Sequence, residues 1–218
     1  MGMTMQRFFI SAFLASLLFV VPFNSASAAQ KAPAVKCTTT KAVGHPAKVV
    51  APAQKLFTKF PKKFTLSTNC GTIVITTVGN KAPWTLTELS TLAKAGYFDG
   101  SLCHRLTTAG IFVLQCGDPT ATGMGGPGFS YPDENLPVNV LNNYPAGTVA
   151  MANSGSGTNG SQFFLVYGDT SLGPNYTIWG KITKGLDIVQ AIAKAGVKGG
   201  GPDGTPNQRI ALTKVRVN

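Results

Sequence analysis

Between Phe64 and Val217, glycine, proline, asparagine and aspartate cut the chain into short β-prone runs, and only two stretches carry helical spacing. Phe64, Leu66 and Thr68 alternate with polar neighbours, Asn69-Cys70-Gly71 turns, and Thr72 to Val78 is rich in Ile, Val and Thr, which predicts a hairpin. Further strands are expected at 103–107, 112–116, 148–151, 163–167, 178–183 and 210–217. Pro83 opens a helix to about Ala95, with Leu86, Leu89 and Leu92 on one face, Thr85 and Glu88 as a candidate capping box and Gly96 as its stop. A second helix over roughly 185–195 sets Ile188, Val189 and Ile192 on one side. Many short strands with two helices predict a mainly β fold, a closed antiparallel barrel capped at its ends.

The first 62 residues read differently. Arg7, the apolar run Phe8 to Phe23 and Ala26-Ser27-Ala28 have the order of a secretory signal, assigned to residues 1–28, and the run is too short to favour a spanning helix. Residues 29–62 are rich in Ala, Pro, Lys, Thr and Val without amphipathic period; a flexible spacer is expected there, with the folded domain at 63–218. A secreted or extracytoplasmic protein is implied. The net charge of +11 is concentrated in the same region: eight lysines fall between Lys31 and Lys63 with no acid among them. From Phe64 onward seven lysines and three arginines meet eight carboxylates, leaving about +2. This is a basic tail and not a basic groove. Nucleic acid is not expected as a partner, since no basic module interleaved with aromatics is present; weak contact of the spacer with an anionic wall or membrane surface stays open.

Cys37, Cys70, Cys103 and Cys116 are even in number, which suits disulfides in an exported chain, and they allow three connectivities. Simple pairing of 103–107 with 112–116 would set Cys103 opposite Cys116 and leave Cys37 for Cys70. With no C-x-x-C, and with Cys103 directly beside His104, no metal site is expected.

Few residues carry chemistry. Gly123-Met124-Gly125-Gly126-Pro127-Gly128 spells G-x-G-x-x-G, but Pro127 and Pro132 forbid the helix a dinucleotide site needs, so it is a loop. No G-x-S-x-G occurs, and neither His45 nor His104 has a serine or acid partner in sequence, which argues against a hydrolase. What stands out is Arg105 among Leu102, Cys103 and Leu106, Gln115 on the next strand, and a small-residue turn leading into Gln162-Phe163-Phe164. A guanidinium on an apolar platform keeps its charge at any working pH and projects a rigid fork of donors. Gln115 and Gln162 can fix that fork or hold a peptide backbone, while Phe112, Phe164 and Leu172 can wall an apolar pocket. The set suits a reaction that needs orientation and a donor, with no cofactor and no covalent step.

His104-Arg105, Phe112-x-x-Gln115-x-Gly117-Asp118, Met151-Ala152-Asn153 and Asn159-Gly160-Ser161-Gln162-Phe163-Phe164, followed by Gly180-Lys181 and Gly185 to Val189, resemble the cyclophilins, a family of peptidyl-prolyl cis-trans isomerases. The resemblance covers roughly Phe64 to Val217. It implies an eight-stranded barrel closed by two helices, with the substrate groove on the outer face. It implies that Arg105 is catalytic with Gln115 orienting it. Phe112, Val113, Phe164 and Leu172 would surround a proline ring, and Gln115, Ala152, Asn153 and Gln162 would hold the peptide. Tyr176 stands where many relatives carry a histidine at the pocket's edge, and His104 would be structural. The implied partners are proline-containing segments of unfolded or exported proteins, met by a monomer.

This chain also departs from the family pattern. The link from Arg105 to Phe112 is about two residues longer than the common one, Cys116 replaces a frequent glycine, and Ser171 stands where cyclosporin-sensitive members carry tryptophan. Simple hairpin pairing puts Arg105 and Gln115 on opposite faces, whereas the resemblance needs them together; a bulge near Phe112 would reconcile the two and would spoil the Cys103–Cys116 pairing. Two other readings are a non-catalytic module that captures proline-containing segments, and a wall-associated structural protein whose basic tail is the working part.

Overall fold

The computed structural model describes residues 1–2 and 34–218; the rest of the expected signal segment and the first residues of the expected spacer lie outside the described residues. The predicted first hairpin is β1 (Lys63–Thr68) with β2 (Gly71–Thr77), and its register sets Phe64 opposite Ile75 and Leu66 opposite Ile73, all four side chains buried. Six further predicted strands follow as β4 (Arg105–Thr107), β5 (Val113–Cys116), β6 (Thr148–Met151), β7 (Phe163–Val166), β8 (Ile178–Lys184) and β10 (Ala211–Val217). Two more, β3 (Ser101–Leu102) and β9 (Asp203–Gly204), are only two residues long, too short to leave a hydrophobic pattern.

Among the described residues the sheet therefore has ten strands, all paired antiparallel, in the order β3-β10-β1-β2-β8-β6-β7-β5-β4-β9. This corrects the expected closed barrel of eight. Residues 101–107 do not form one strand: the Cys103 N–H donates to the Ile210 carbonyl, and the next N–H, of His104, donates to that of Gln115. The chain changes partner at this point, so the curled sheet is linked there by a covalent step and not by a continuous ladder.

Helix α1 (Pro83–Lys94) buries Leu86, Leu89 and Leu92 and packs on β10, while α2 (Leu186–Lys194) buries Ile188, Val189 and Ile192. The expected Thr85–Glu88 capping box does not form. The orphan amides of Trp84 and Thr85 instead donate to the Glu134 carboxylate at 2.8 and 2.9 Å, and Glu88 accepts the Ala53 amide. Strand alternation divides the apolar residues into two clusters. The main core holds Leu106, Leu114, Val149, Leu165 and Trp179; on the other face of the sheet Val113, Tyr144, Ala150, Phe164 and Val166 form a second, smaller cluster.

The expected flexible spacer is also corrected over its described part. Among the described residues the compact unit already includes Ala34 and does not start near Lys63. Residues 34–62 contain no helix or strand, yet they run along the domain as a strap. Val35, Cys37, Ala47, Val50 and Phe60 pack on the core, the Thr38 and His45 amides donate to the Asn69 and Pro119 carbonyls, and Cys37 is disulfide-bonded to Cys70. An extended strap touches its support only every few residues, so no helical or strand period marks it. The strap's lysines stay exposed.

Candidate active site

One row of cross-strand neighbours builds the site. Arg105 on β4 lies opposite Gln115 on β5, Gln115 opposite Phe164 on β7, and Phe164 opposite Ala150 on β6. Residues paired in this way share a face, so these four emerge on the outer side while the adjacent row of Leu106, Leu114, Leu165 and Val149 enters the core. The expected conflict between Arg105 and Gln115 disappears through a one-residue change of register, with no bulge in the β4–β5 ladder. The longer link absorbs the slack: Thr107 Oγ1 donates to the Ile111 carbonyl (2.8 Å) and accepts the Val113 amide (3.1 Å). Cys103 is nevertheless bonded to Cys116, because it sits at the break before β4 and outside that ladder.

A directed hydrogen-bond chain crosses this face. Arg105 Nε and Nη2 donate to both carboxylate oxygens of Asp203 (2.8 and 2.6 Å), and Nη1 donates to Gln115 Oε1 (3.3 Å). Gln115 Nε2 donates to Gln162 Oε1 (2.8 Å), whose own Nε2 donates to the Gly123 and Gly125 carbonyls (2.9 and 2.8 Å). A guanidinium can only donate and a backbone carbonyl can only accept, so both amides are oriented from the two ends. The carbonyl end is set by Asp118, a buried carboxylate that accepts the amides of Thr120, Thr122, Gly123 and Gly125. Gly125 is required here, since a Cβ at that position would collide with the Asp118 carboxylate.

The charges are fixed accordingly. The bonds to Asp203 raise the Arg105 pKa further above its ordinary value, so the cation persists at every working pH. Burial, with a smaller push from Arg105, drives the His104 imidazole below its ordinary pKa, only partly opposed by Asp118, and leaves it neutral near pH 7. A neutral ring with both nitrogens buried and without a hydrogen-bond partner among the described residues is no proton shuttle.

Beside Arg105 lies a cavity of about 170 Å³ lined by Arg105, Ile111, Val113, Gln115, Ala152, Asn153, Phe164, Leu172 and Tyr176. Small-molecule sites run from ~300 Å³ upward, so this one suits a single small ring. Phe164 and Tyr176 line it and stack edge-on, and the buried Tyr144 packs against both, with ring centroids 5.5 to 6.2 Å apart. Eight of the ten site residues expected from sequence line this cavity, and Gln162 reaches it through Gln115.

Phe112 does not line the cavity, and its expected place is corrected. With Val113 and Gln115 facing the pocket, alternation turns Phe112 away, onto Tyr167 (5.9 Å) and Gly168. Ile111 takes its place, and two-residue counting back from Val113 would have found it. Asp203 and Tyr144 were also missed. Tyr144 is fully buried, with its hydroxyl within 3.2 Å of the Tyr176 carbonyl.

With this geometry in hand, comparison with known proteins is decisive for the class. Residues 63–217 match the family model described as cyclophilin type peptidyl-prolyl cis-trans isomerase/CLD, and the chain belongs to that family. It is 47% identical over 159 residues to "Probable peptidyl-prolyl cis-trans isomerase B" of Mycobacterium tuberculosis, covering 68% of this chain and 52% of that protein. The Mycobacterium leprae protein of the same name is 43% identical over 166 residues, covering 70% and 56%. The chain thus spans about half the length of these curated relatives. A cyclophilin type isomerase of Cryptosporidium parvum superposes with a TM-score of 0.63 at 24% identity, covering 73% of this chain and 98% of that one, a likeness of fold alone.

Proposed function

We propose that this protein is a peptidyl-prolyl cis-trans isomerase that accelerates rotation about X-Pro bonds, and that it acts on exported, incompletely folded chains. The observation that carries the reading is the fixed guanidinium of Arg105 at the rim of an apolar cavity sized for one ring. The same fold in Cryptosporidium parvum has been solved in the presence of the dipeptide Ala-Pro.

The barrier to X-Pro rotation comes from amide resonance. Twisting the bond pyramidalises the prolyl nitrogen and localises its lone pair. A donor held by Arg105 stabilises that twisted form more than either planar form, which is differential transition-state binding. Val113, Phe164 and Leu172 hold the ring while the acyl side turns. Three of the five guanidinium N–H groups are engaged, leaving two for the substrate. Uncatalysed exchange takes tens of seconds or more, so a turnover near ~10 per second needs about three decades, roughly 4 kcal/mol. One charge-assisted hydrogen bond plus positioning supplies that much. A protease-coupled assay on a short X-Pro peptide tests the reading; a rate equal to the uncatalysed one overturns it.

Export is part of the same proposal. It is supported by the order of charged, apolar and small residues over 1–28 and by the pairing of all four cysteines. The exposed lysines of the strap are available for weak contact with an anionic wall or membrane surface.

Ser171 supplies a further prediction. It is exposed at the rim, where its hydroxyl accepts the Asn142 amide, and it offers no aromatic surface. Cyclosporin should inhibit weakly, and Ser171→Trp should tighten inhibition at least about tenfold by adding aromatic contact area. Equal inhibition constants for the two proteins would contradict this.

A further inference from the structure

We propose that Asp203 is a positioning residue for Arg105, holding the plane of the guanidinium so that its free N–H groups stay directed at the pocket. This rests on the isomerase reading above and adds a residue to it. Asp203 does not line the cavity, so it acts through Arg105 and not on the substrate.

Arg105 needs such a device. Its side chain is 40% exposed, and the Gln115 bond is single and long at 3.3 Å, which leaves the fork free to turn about it. Two bonds to one carboxylate, at 2.8 and 2.6 Å, fix a plane. The carboxylate is held in turn by backbone structure. β9 pairs with β4, setting Asp203 opposite Thr107, two residues along the same strand face from Arg105. The Thr108 amide donates to the Pro202 carbonyl (2.7 Å), and the Lys198 amide closes the turn on the Thr205 carbonyl (2.9 Å). Gly204 permits this fit: its φ is +150°, and a Cβ there would press on Val197 at 3.0 Å. Partners 98 positions apart in the sequence are brought together by a two-residue strand at the edge of the sheet.

The test is kinetic. Asp203→Asn and Asp203→Ala should each lower kcat by about fivefold with KM within about twofold, because the pocket is untouched while the donor loses its aim. The Arg105 Nε NMR signal should broaden in both variants, and Asp203→Glu should restore part of the rate. In an Arg105→Ala background, Asp203→Asn should cause no further loss, as expected for a residue that works only through the cation. Unchanged or increased kcat in the Asp203 variants, or an additive loss in the Arg105→Ala background, overturns the proposal while leaving the isomerase reading in place. Parental turnover for Arg105→Ala alone overturns the proposal together with the catalytic role of Arg105, whereas an uncatalysed rate for the parent protein overturns the isomerase reading itself.

Discussion

Arg105→Ala is expected to lower kcat/KM on a short X-Pro peptide by at least about tenfold while the chain stays folded. The loss follows from removing the cation that lines the pocket, since Gln115 then offers only a neutral amide, one of whose two N–H groups is already given to Gln162. Folding should be little affected. The Arg105–Asp203 pair is partly exposed, at 40% and 47%, and exposed pairs contribute about 0–1 kcal/mol, so the Asp203 carboxylate left behind can turn to water. Arg105→Lys should fall between the two, because a point charge cannot span both Asp203 oxygens and Gln115 at once. Peptide isomerisation measured beside thermal melts decides the matter; turnover within about twofold of the parent would remove Arg105 from the mechanism.

The largest loss of stability is expected at a residue that never meets substrate. Asp118→Ala should cost about 3 kcal/mol, or roughly 10 °C in Tm for a domain of this size. Asp118 is 0% exposed and accepts four amides at 2.7 to 3.1 Å together with the Thr120 hydroxyl at 2.7 Å. Without it the loop loses its centre, and the Gly123 and Gly125 carbonyls that anchor Gln162 move with it. KM for peptide should therefore rise as well. Burial pushes the Asp118 carboxyl upward, but the hydrogen bonds from Thr120, Gly125 and Gly123 outweigh it and hold its pKa below the ordinary 3.8. A carboxyl lowered in the folded state contributes stability that is complete above its unfolded value and is lost as pH falls through the lower native one. Parental stability should thus decline in that acid window, and the Asp118→Ala variant should lack this component. A melt series with equal acid dependence in both proteins would contradict the assignment.

How much of this was legible in the sequence varied with the range of the contacts. Runs such as Phe64 to Val78 and the helix at Pro83 announce themselves because their period and their punctuation are local. The motifs around Arg105, Gln115 and Gln162 were readable for the same reason. Register was not: a one-residue slip between β4 and β5 reverses which face Arg105 and Gln115 share, and the slip is absorbed in the loop that Thr107, the last residue of β4, ties down through Ile111 and Val113. That same loop exchanged Ile111 for Phe112. Asp203 was hidden because its partner lies 98 residues away, and Glu134 because it caps a helix 50 residues upstream. The strap was misread as free spacer because intermittent contacts such as Val35, Ala47, Val50 and Phe60 leave no period.

Exchange NMR on the labelled protein with an X-Pro peptide reaches the central claim most directly. The expected result is cis–trans exchange cross-peaks that grow with protein concentration, with shift changes centred on Arg105, Val113, Gln115, Phe164 and Leu172. Shift changes at those residues with no acceleration of exchange would mean a groove that only binds, and would contradict the account.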